Sequence, residues 1–436
     1  LPEYGPSIMD ASVYRDPTRF ELERERVLGR HWMLAGRSEQ VQGSGDWITY
    51  EGHDECIVVV RQGDGSLSAF HNVCRHRGPA IVAEKTGCGA RRFSCPYHGW
   101  VYDTKGKLVG IPEREDFGTD HVADIGAIPV AVGEWGGWIW INMDPDSVSL
   151  SEWLGVVPEM LDPYGLQNMR PRWRKWIIFD CNWKVAMEAF NETYHVATTH
   201  PEFNAFGQFR GWARNQGLHS HIGYEAPKGL EEDAGKMRTG TGADPRKSTA
   251  EMQVFTWENA NTNTTLTLVN AAKRLVDELP DDTPATEVSR HWIATARADD
   301  EKRGVVWPTV DPLHTATAGT AWQIFPNFQI GHAVNNMLCY MARPWGNDPD
   351  KCIFEAAVYE LYPEGEAPEA DWEYTDPADW PPVLQQDFAN MAAVQQGMKS
   401  AGFKGTQPNP YMERSTASLH MNLARFMGTG APVKTG

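Results

Sequence analysis

Long apolar runs are missing from this chain. No stretch reaches the roughly 18 residues that a membrane-spanning helix needs, so no transmembrane helix is expected. The opening LPEYGPSIMD has neither a basic n-region nor an apolar h-region, so no signal peptide is read there. Positive charge is scarce: 40 Lys and Arg stand against 58 Asp and Glu, for a net charge of −18. That balance excludes the clustered cations of a nucleic-acid binder and argues against anchoring on an anionic membrane. Cysteine is sparse, with seven spread over 436 residues. An odd, dispersed set is not a secreted disulfide framework. It fits a reducing cytoplasm, where thiolates stay free to hold metal. Internal repeats and low-complexity tracts are also absent, and a composition 41% hydrophobic and 22% charged excludes a disordered or collagen-like chain.

What is present is tryptophan, at 18 copies, suited to core packing or to an aromatic-lined pocket. At roughly 100–200 residues per domain the length predicts two to four domains. DPTRFELERERVLGRHW reads as a helix, with Asp16 to cap it and Pro17 in its first position. WITY, CIVVV and LSAF are strand-like runs separated by turns, and VYDTKGKLVG and WGGWIWINM continue an all-β block. SEWLGVVPEMLDPYGL is a helical junction, WRKWIIFDCNW a strand, and VAMEAFNETYHVATTHP a helix ended by Pro201. The Gly-rich and polar stretch 204–250 reads as a cover, within which His219 and His221 are taken as surface or lid residues. Farther on, MQVFTW, AWQIF, FQIGHAV, NNMLCYMARPW and CIFEAAVYELYP predict an antiparallel sheet. A long helix opens at Pro381-Pro382, and a last one spans about 415–427.

The segment 72–100 carries the first chemistry. Cys74-x-His76 is followed, after eighteen residues, by Cys95-x-x-His98. Each half puts two ligands on one tight loop, with Gly78-Pro79 and Pro96 with Gly99 supplying the turns. Two Cys and two His suit a tetrahedral structural zinc, or a [2Fe–2S] centre with Cys on one iron and His on the other. Zinc fingers usually pair Cys with Cys and His with His, whereas these mixed loops match the Rieske pattern. The segment resembles the Rieske domain of the Rieske non-haem iron oxygenases, the family of aromatic-ring-hydroxylating dioxygenase α subunits. Respiratory Rieske proteins have an extra Cys in each loop, where this chain has Pro79 and Tyr97. Cys88 reads as a bystander. Arg75, Arg77, Lys85, Arg91 and Arg92 crowd this segment of an acidic protein, as solvated loop charge or as a docking patch for an acidic electron donor.

The second constellation lies in NWKVAMEAFNETYHVATTHP. On a regular helix Glu188, Glu192 and His195 share one face. His200, five residues beyond His195, falls off that face, but Pro201 disfavours helical geometry at His200 and lets it swing back. Two neutral imidazoles can then meet one iron, and a carboxylate would complete a facial triad. The run resembles the family's Glu-Asn-Phe-x-Asp-x-Tyr-His-x₄-His pattern, with Ala189 in place of Asn and Glu192 in place of Asp. The resemblance implies that the third ligand is Asp387 in QQDFANMAAVQQGM. At helical spacing Asp387 shares the apolar side with Met391, Val394 and Met398. It implies that Glu192 orients the ligands and couples proton state to electron delivery, and that Cys74, His76, Cys95 and His98 hold the cluster. Glu188 reads as structural, and Tyr194 as lining the path or packing. Phe190, Phe325, Asn327 and Met337 are pocket candidates by position alone, with core packing as their ordinary role.

The implied fold class is α+β. Residues 1–40 form an N-terminal helical segment packing on the catalytic domain, 41–150 the Rieske β-domain, and 151–436 a catalytic domain with an antiparallel sheet flanked by helices. The implied cofactors are one [2Fe–2S] cluster and one mononuclear Fe(II) per chain. The implied activity is O₂-dependent hydroxylation, by cis-dihydroxylation, of an apolar aromatic or ring-containing substrate. The alternative is a monooxygenase or dealkylase acting on a non-aromatic or quaternary-amine substrate, towards which Glu192 points. No flavin or nicotinamide fingerprint is present, so a flavin-dependent reductase, with or without a ferredoxin, is expected as donor. A homotrimer is implied, with a small β subunit as a further partner.

Overall fold

The computed structural model describes residues 6–52, 54–118, 125–206, 210–225 and 244–435. The chain divides into two compact units, Leu22–Gly155 and a second made of Leu1–Glu21 with Val156–Gly436. The expected 1–40 segment is therefore split. Its later part holds a strand, Met33–Arg37, which pairs antiparallel with Trp138–Asn142 and so belongs to the β unit. Before it, the helix Pro17–Glu23 passes into a π-helical turn, Arg24–Leu28.

The first unit contains a seven-stranded sheet and a separate three-stranded one. The strand-like runs of the sequence become Trp47–Gly52, Glu55–Arg61 and Leu67–His71, paired antiparallel in succession. Their alternation sends one set of side chains, with Val58, Val60 and Phe70, into a core shared with Phe93, Trp100 and Tyr102. The three-stranded sheet runs through Arg92–Ser94, Val101–Asp103 and Leu108–Gly110. Both cysteines of the Cys/His motif lie in that same core.

The second unit is organised on an eight-stranded sheet. Its spatial order is Gly211–Gln216, His219–Tyr224, Ala321–Ile324, Phe328–His332, Asn336–Trp345, Asp348–Glu360, Arg170–Phe179 and Trp372–Tyr374. All neighbours are antiparallel except the last pair. The helix Trp183–Glu188 packs on Asn336–Trp345 and Asp348–Glu360, and Pro382–Gly397 packs on that helix in turn.

Two expectations are corrected here. MQVFTW is no strand: it lies within the helix Pro245–Asn259, where Met252, Gln253 and Thr256 are buried at helical spacing and the Asp244 side chain caps the first turn. His219 and His221 are not surface or lid residues. Their strand is interior to the sheet, both are buried, and His219 Nδ1 accepts from the Phe325 N–H at 3.1 Å. Of the 204–250 stretch, 207–209 and 226–243 lie outside the described residues.

Candidate active site

The two Cys/His loops are built alike. In the first, the Cys74 N–H bonds to the Pro79 carbonyl and the Gly78 N–H returns to the Cys74 carbonyl. In the second, Cys95 bonds to Trp100 and Gly99 returns to Cys95. Gly78 and Gly99 have φ of 89° and 71°, a left-handed conformation that glycine adopts without a Cβ clash. The loops bring the His76 and His98 rings to 4.5 Å between centroids, with His76 stacked on Trp100. His76 Nδ1 is buried and has no hydrogen-bond partner. An orphaned buried imidazole nitrogen beside two buried thiols suits the ligand set of a metal cluster. The Tyr102 hydroxyl donates to Cys74 Sγ at 3.3 Å, and burial, with Cys74 next to it, pushes its pKa up, so it remains a donor. Hydrogen bonds to cluster sulfurs help set the potential. Cys88 is exposed, as are Arg75, Arg77, Arg91 and Arg92. His98 and Tyr97 are exposed too, so the histidine edge of this site faces solvent in the unit.

The second site depends on a broken helix. Asn182 caps its start through a bond from the Lys184 N–H, and Asn182 N–H is itself tied to Gln395 Oε1 at 3.0 Å. The helix ends at Glu188, not at Pro201 as the sequence predicted, and a turn and bends occupy 189–195. Glu192 explains the break: its carboxylate accepts from the Tyr194 and His195 N–H groups and from His195 Nδ1. This local capping competes with helix continuation. A four-residue helix, Val196–Thr199, follows, and His200 leaves it at φ −119°, ψ 63° before Pro201.

The chain reversal brings the expected ligands together. Donor atoms of His195, His200 and Asp387 lie within 4.8 Å of one another, the one such set of three among the described residues. Asp387 Oδ1 is 3.5 Å from His195 Nε2 and 3.0 Å from His200 Nε2. Each Nδ1 is occupied elsewhere, His195 with Glu192 and His200 with Gln386 Oε1 at 2.7 Å. Both rings therefore present Nε2 to the same point, as metal-ligating histidines do. Burial opposes a charge on His195, but the Glu192 hydrogen bond and the charge of Asp387 outweigh it and raise its pKa. The donor set fits one mononuclear iron with open positions.

Gln386 was not foreseen, although it immediately precedes Asp387. It donates to Glu202 at 3.1 Å while holding His200, and Asn390 donates to Thr199 at 2.7 Å. Together these bonds fasten the Pro382–Gly397 helix to the 196–205 segment. On that helix Met391 and Met398 are buried with Asp387, whereas Val394 is 45% exposed. Glu188 is structural in its contacts, accepting from Tyr14 at 2.9 Å and paired with His420 at 2.6 Å. Glu413 is a further acid that sequence reading missed; burial, and the charges of Glu192 and Glu188, push it up to about 7. Tyr194 is 58% exposed.

The triad opens on a cavity of about 490 Å³, within the size range of small-molecule sites. Phe190 lines it, with Glu192, Gln329 and Tyr340. Phe325, Asn327 and Met337 are core residues: none lines the cavity, and Asn327 is bound to the Ala342 carbonyl at 2.9 Å.

An all-β unit with paired Cys/His loops, followed by a helix-flanked antiparallel sheet with a His/His/Asp set, defines a two-centre iron protein. Residues 31–126 match the Rieske [2Fe-2S] domain, and residues 150–429 match the ring hydroxylating alpha subunit catalytic domain. The chain belongs to the ring-hydroxylating α-subunit family, whose two domains carry a Rieske cluster and a mononuclear iron. It is 41% identical over 199 residues to the chlorobenzene dioxygenase subunit alpha of Cupriavidus sp. (strain PS12), covering 44% of this chain and 43% of that one. It is 33% identical over 201 residues to the glycine betaine monooxygenase oxygenase subunit of Chromohalobacter salexigens, covering 45% and 44%. These alignments span under half the length of each relative. A quaternary ammonium Rieske monooxygenase in complex with L-carnitine has the same fold, with a TM-score of 0.64 and 17% identity over 98% of this chain and 97% of that one. No helix among the described residues is long and apolar enough to cross a membrane.

Proposed function

We propose that this chain is the terminal oxygenase component of a multi-protein system, using O₂ and electrons from a ferredoxin or flavin-dependent reductase to cis-dihydroxylate an aromatic ring. The observation that carries the reading is the convergence of His195 Nε2, His200 Nε2 and Asp387 at an aromatic-lined cavity. In this reading Cys74, His76, Cys95 and His98 hold the [2Fe–2S] cluster, and His195, His200 and Asp387 hold the iron. When bound, the cluster relays single electrons and the iron activates O₂ beside the substrate.

The chain's own residues do the positioning. Glu192 accepts the Nδ1–H of His195, and Gln386 Oε1 accepts that of His200; each bond selects the tautomer whose Nε2 lone pair faces the metal. Phe190 and Tyr340, stacked with centroids 4.0 Å apart, form a flat wall against which a ring can lie. The exposed arginines around the cluster loops form the donor's docking surface. Charge reversal of Arg91 and Arg92 is expected to slow cluster reduction in a salt-dependent way, and an unchanged rate would remove this surface from the reading. We assign the functional assembly as a cyclic homotrimer, with or without a small β subunit, working in the cytoplasm on aromatic compounds.

A second reading is monooxygenation or dealkylation of a quaternary amine. Glu192 favours it, standing where the dioxygenase pattern has Asp, as do relatives named for glycine betaine and carnitine. The discriminating experiment supplies iron-loaded protein with a reductase system, ¹⁸O₂ and a panel of aromatic, polycyclic and quaternary-amine compounds. Two labelled atoms in a ring product are expected. One labelled atom or a dealkylated product selects the second reading. No oxygenated product from fully loaded protein would remove both.

A further inference from the structure

The cavity wall that the sheet forms is not purely apolar. Gln329 and Tyr340 are direct partners across the antiparallel pairing of Phe328–His332 with Asn336–Trp345, so their side chains emerge together on one face of the sheet. That face lines the cavity shared by His195, His200 and Asp387. The Tyr340 ring packs in an aromatic cluster, stacked on Phe190 and near-parallel to Phe354 with centroids 5.7 Å apart. Its hydroxyl makes no hydrogen bond among the described residues. Burial, and after it the charge of Asp387, pushes its pKa well up, so it stays a protonated donor. Gln329 Nε2 donates to the Phe190 carbonyl, which fixes the amide orientation. Its Oε1 has no partner and almost no accessible surface, so it is sealed from the cavity. The Tyr340 hydroxyl is therefore the free donor on this wall, where an unpaired polar group is costly.

We propose that the Tyr340 hydroxyl forms a hydrogen-bonding seat for a hydroxyl group on the substrate ring, so that this site takes hydroxylated rings in preference to bare hydrocarbons. The Tyr340 O–H donates to the substrate hydroxyl oxygen. A bare ring leaves that donor unpaired, and sites built to bond a hydroxyl discriminate strongly against analogues that lack it. Tyr340 is a positioning residue: it sets which edge of the ring lies towards the metal. The proposal rests on the oxygenase reading for its consequence but is tested by binding, without turnover.

The test measures equilibrium binding of three matched pairs to the full metal-loaded chain: phenol and benzene, 2-naphthol and naphthalene, 4-hydroxybiphenyl and biphenyl. The hydroxylated member of a pair is expected to bind about tenfold more tightly, or about 1.4 kcal/mol. Tyr340→Phe keeps the stacked ring and should collapse that ratio towards one while leaving the bare compound unchanged, which a merely structural role would not do. Equal binding within the pairs, a ratio unaffected by Tyr340→Phe, or no binding of any hydroxylated compound would overturn the proposal. Failure of the oxygenase reading appears separately, as bound ligand that is never oxygenated. Where products form, wild type should give one regioisomer and Tyr340→Phe a mixture.

Discussion

The two metal-binding regions of this chain are built in opposite ways. The Cys/His site uses two short loops, each closed by its own pair of backbone hydrogen bonds and its own left-handed glycine. Four ligands come from 25 residues, Cys74 to His98. The His/His/Asp site needs a helix that stops early, a four-residue helix after it, and a carboxylate 187 positions beyond His200. Its rings are aimed by side chains, Glu192 and Gln386, rather than by backbone turns. A site made of local turns is rigid by construction. One made from remote elements holds its geometry only as long as its supporting hydrogen bonds do, and these are the places where it can be tuned.

Four measurements would break or sharpen that contrast. The largest effect is expected from Asp387→Ala. Turnover should fall to background and iron content by about one atom per chain, while acid-labile sulfide and the cluster spectrum persist. Retained turnover would remove Asp387 from the ligand set. Next come the aiming residues. Glu192→Gln and Gln386→Ala should each lower activity or iron affinity by about 10–100-fold, with Glu192→Asp restoring most of the loss. If neither variant changes the rate at saturating iron, the remote site is as self-sufficient as the local one.

Acidification should act on the sheet unit. Burial, ahead of any other influence, depresses His221 to about 4 and His332 to about 3. Both bind a proton more readily unfolded, near pH 6.5, than folded. Their contribution to stability is thus intact above about pH 6.5 and is lost progressively as pH falls towards 4 and then 3. A melting temperature lower by roughly a few degrees at pH 5 than at pH 7 is expected, and Phe at position 332 should flatten that dependence. The smallest effect belongs to the cluster. Tyr102→Phe removes the hydrogen bond to Cys74 Sγ and should lower the reduction potential, read by spectroelectrochemistry, without altering iron content. An unchanged potential would mean that this bond does not tune the site.

Much of this protein was legible along the chain because its chemistry is written in short spacings. Cys74-x-His76 and Cys95-x-x-His98 announce their loops, since turn glycines and prolines act within a few residues. His195, His200 and Pro201 announce a distorted helix end for the same reason. The family resemblance supplied Asp387, and periodicity put it on the buried side of its helix. Periodicity erred at MQVFTW, a run of six too short to separate strand from helix. Composition misled at His219 and His221, where a polar stretch suggested solvent and the sheet supplied burial.

The sequence by itself determined the ligand types, their local turns and the order of the two domains, because these depend on backbone preferences and on neighbours close in the chain. Only the tertiary structure decided that Gln386 aims His200. It alone decided that Gln329 and Tyr340 stand together on the cavity wall. Those pairings follow from strand register and helix docking, which join residues far apart in the chain through the shared burial of their faces.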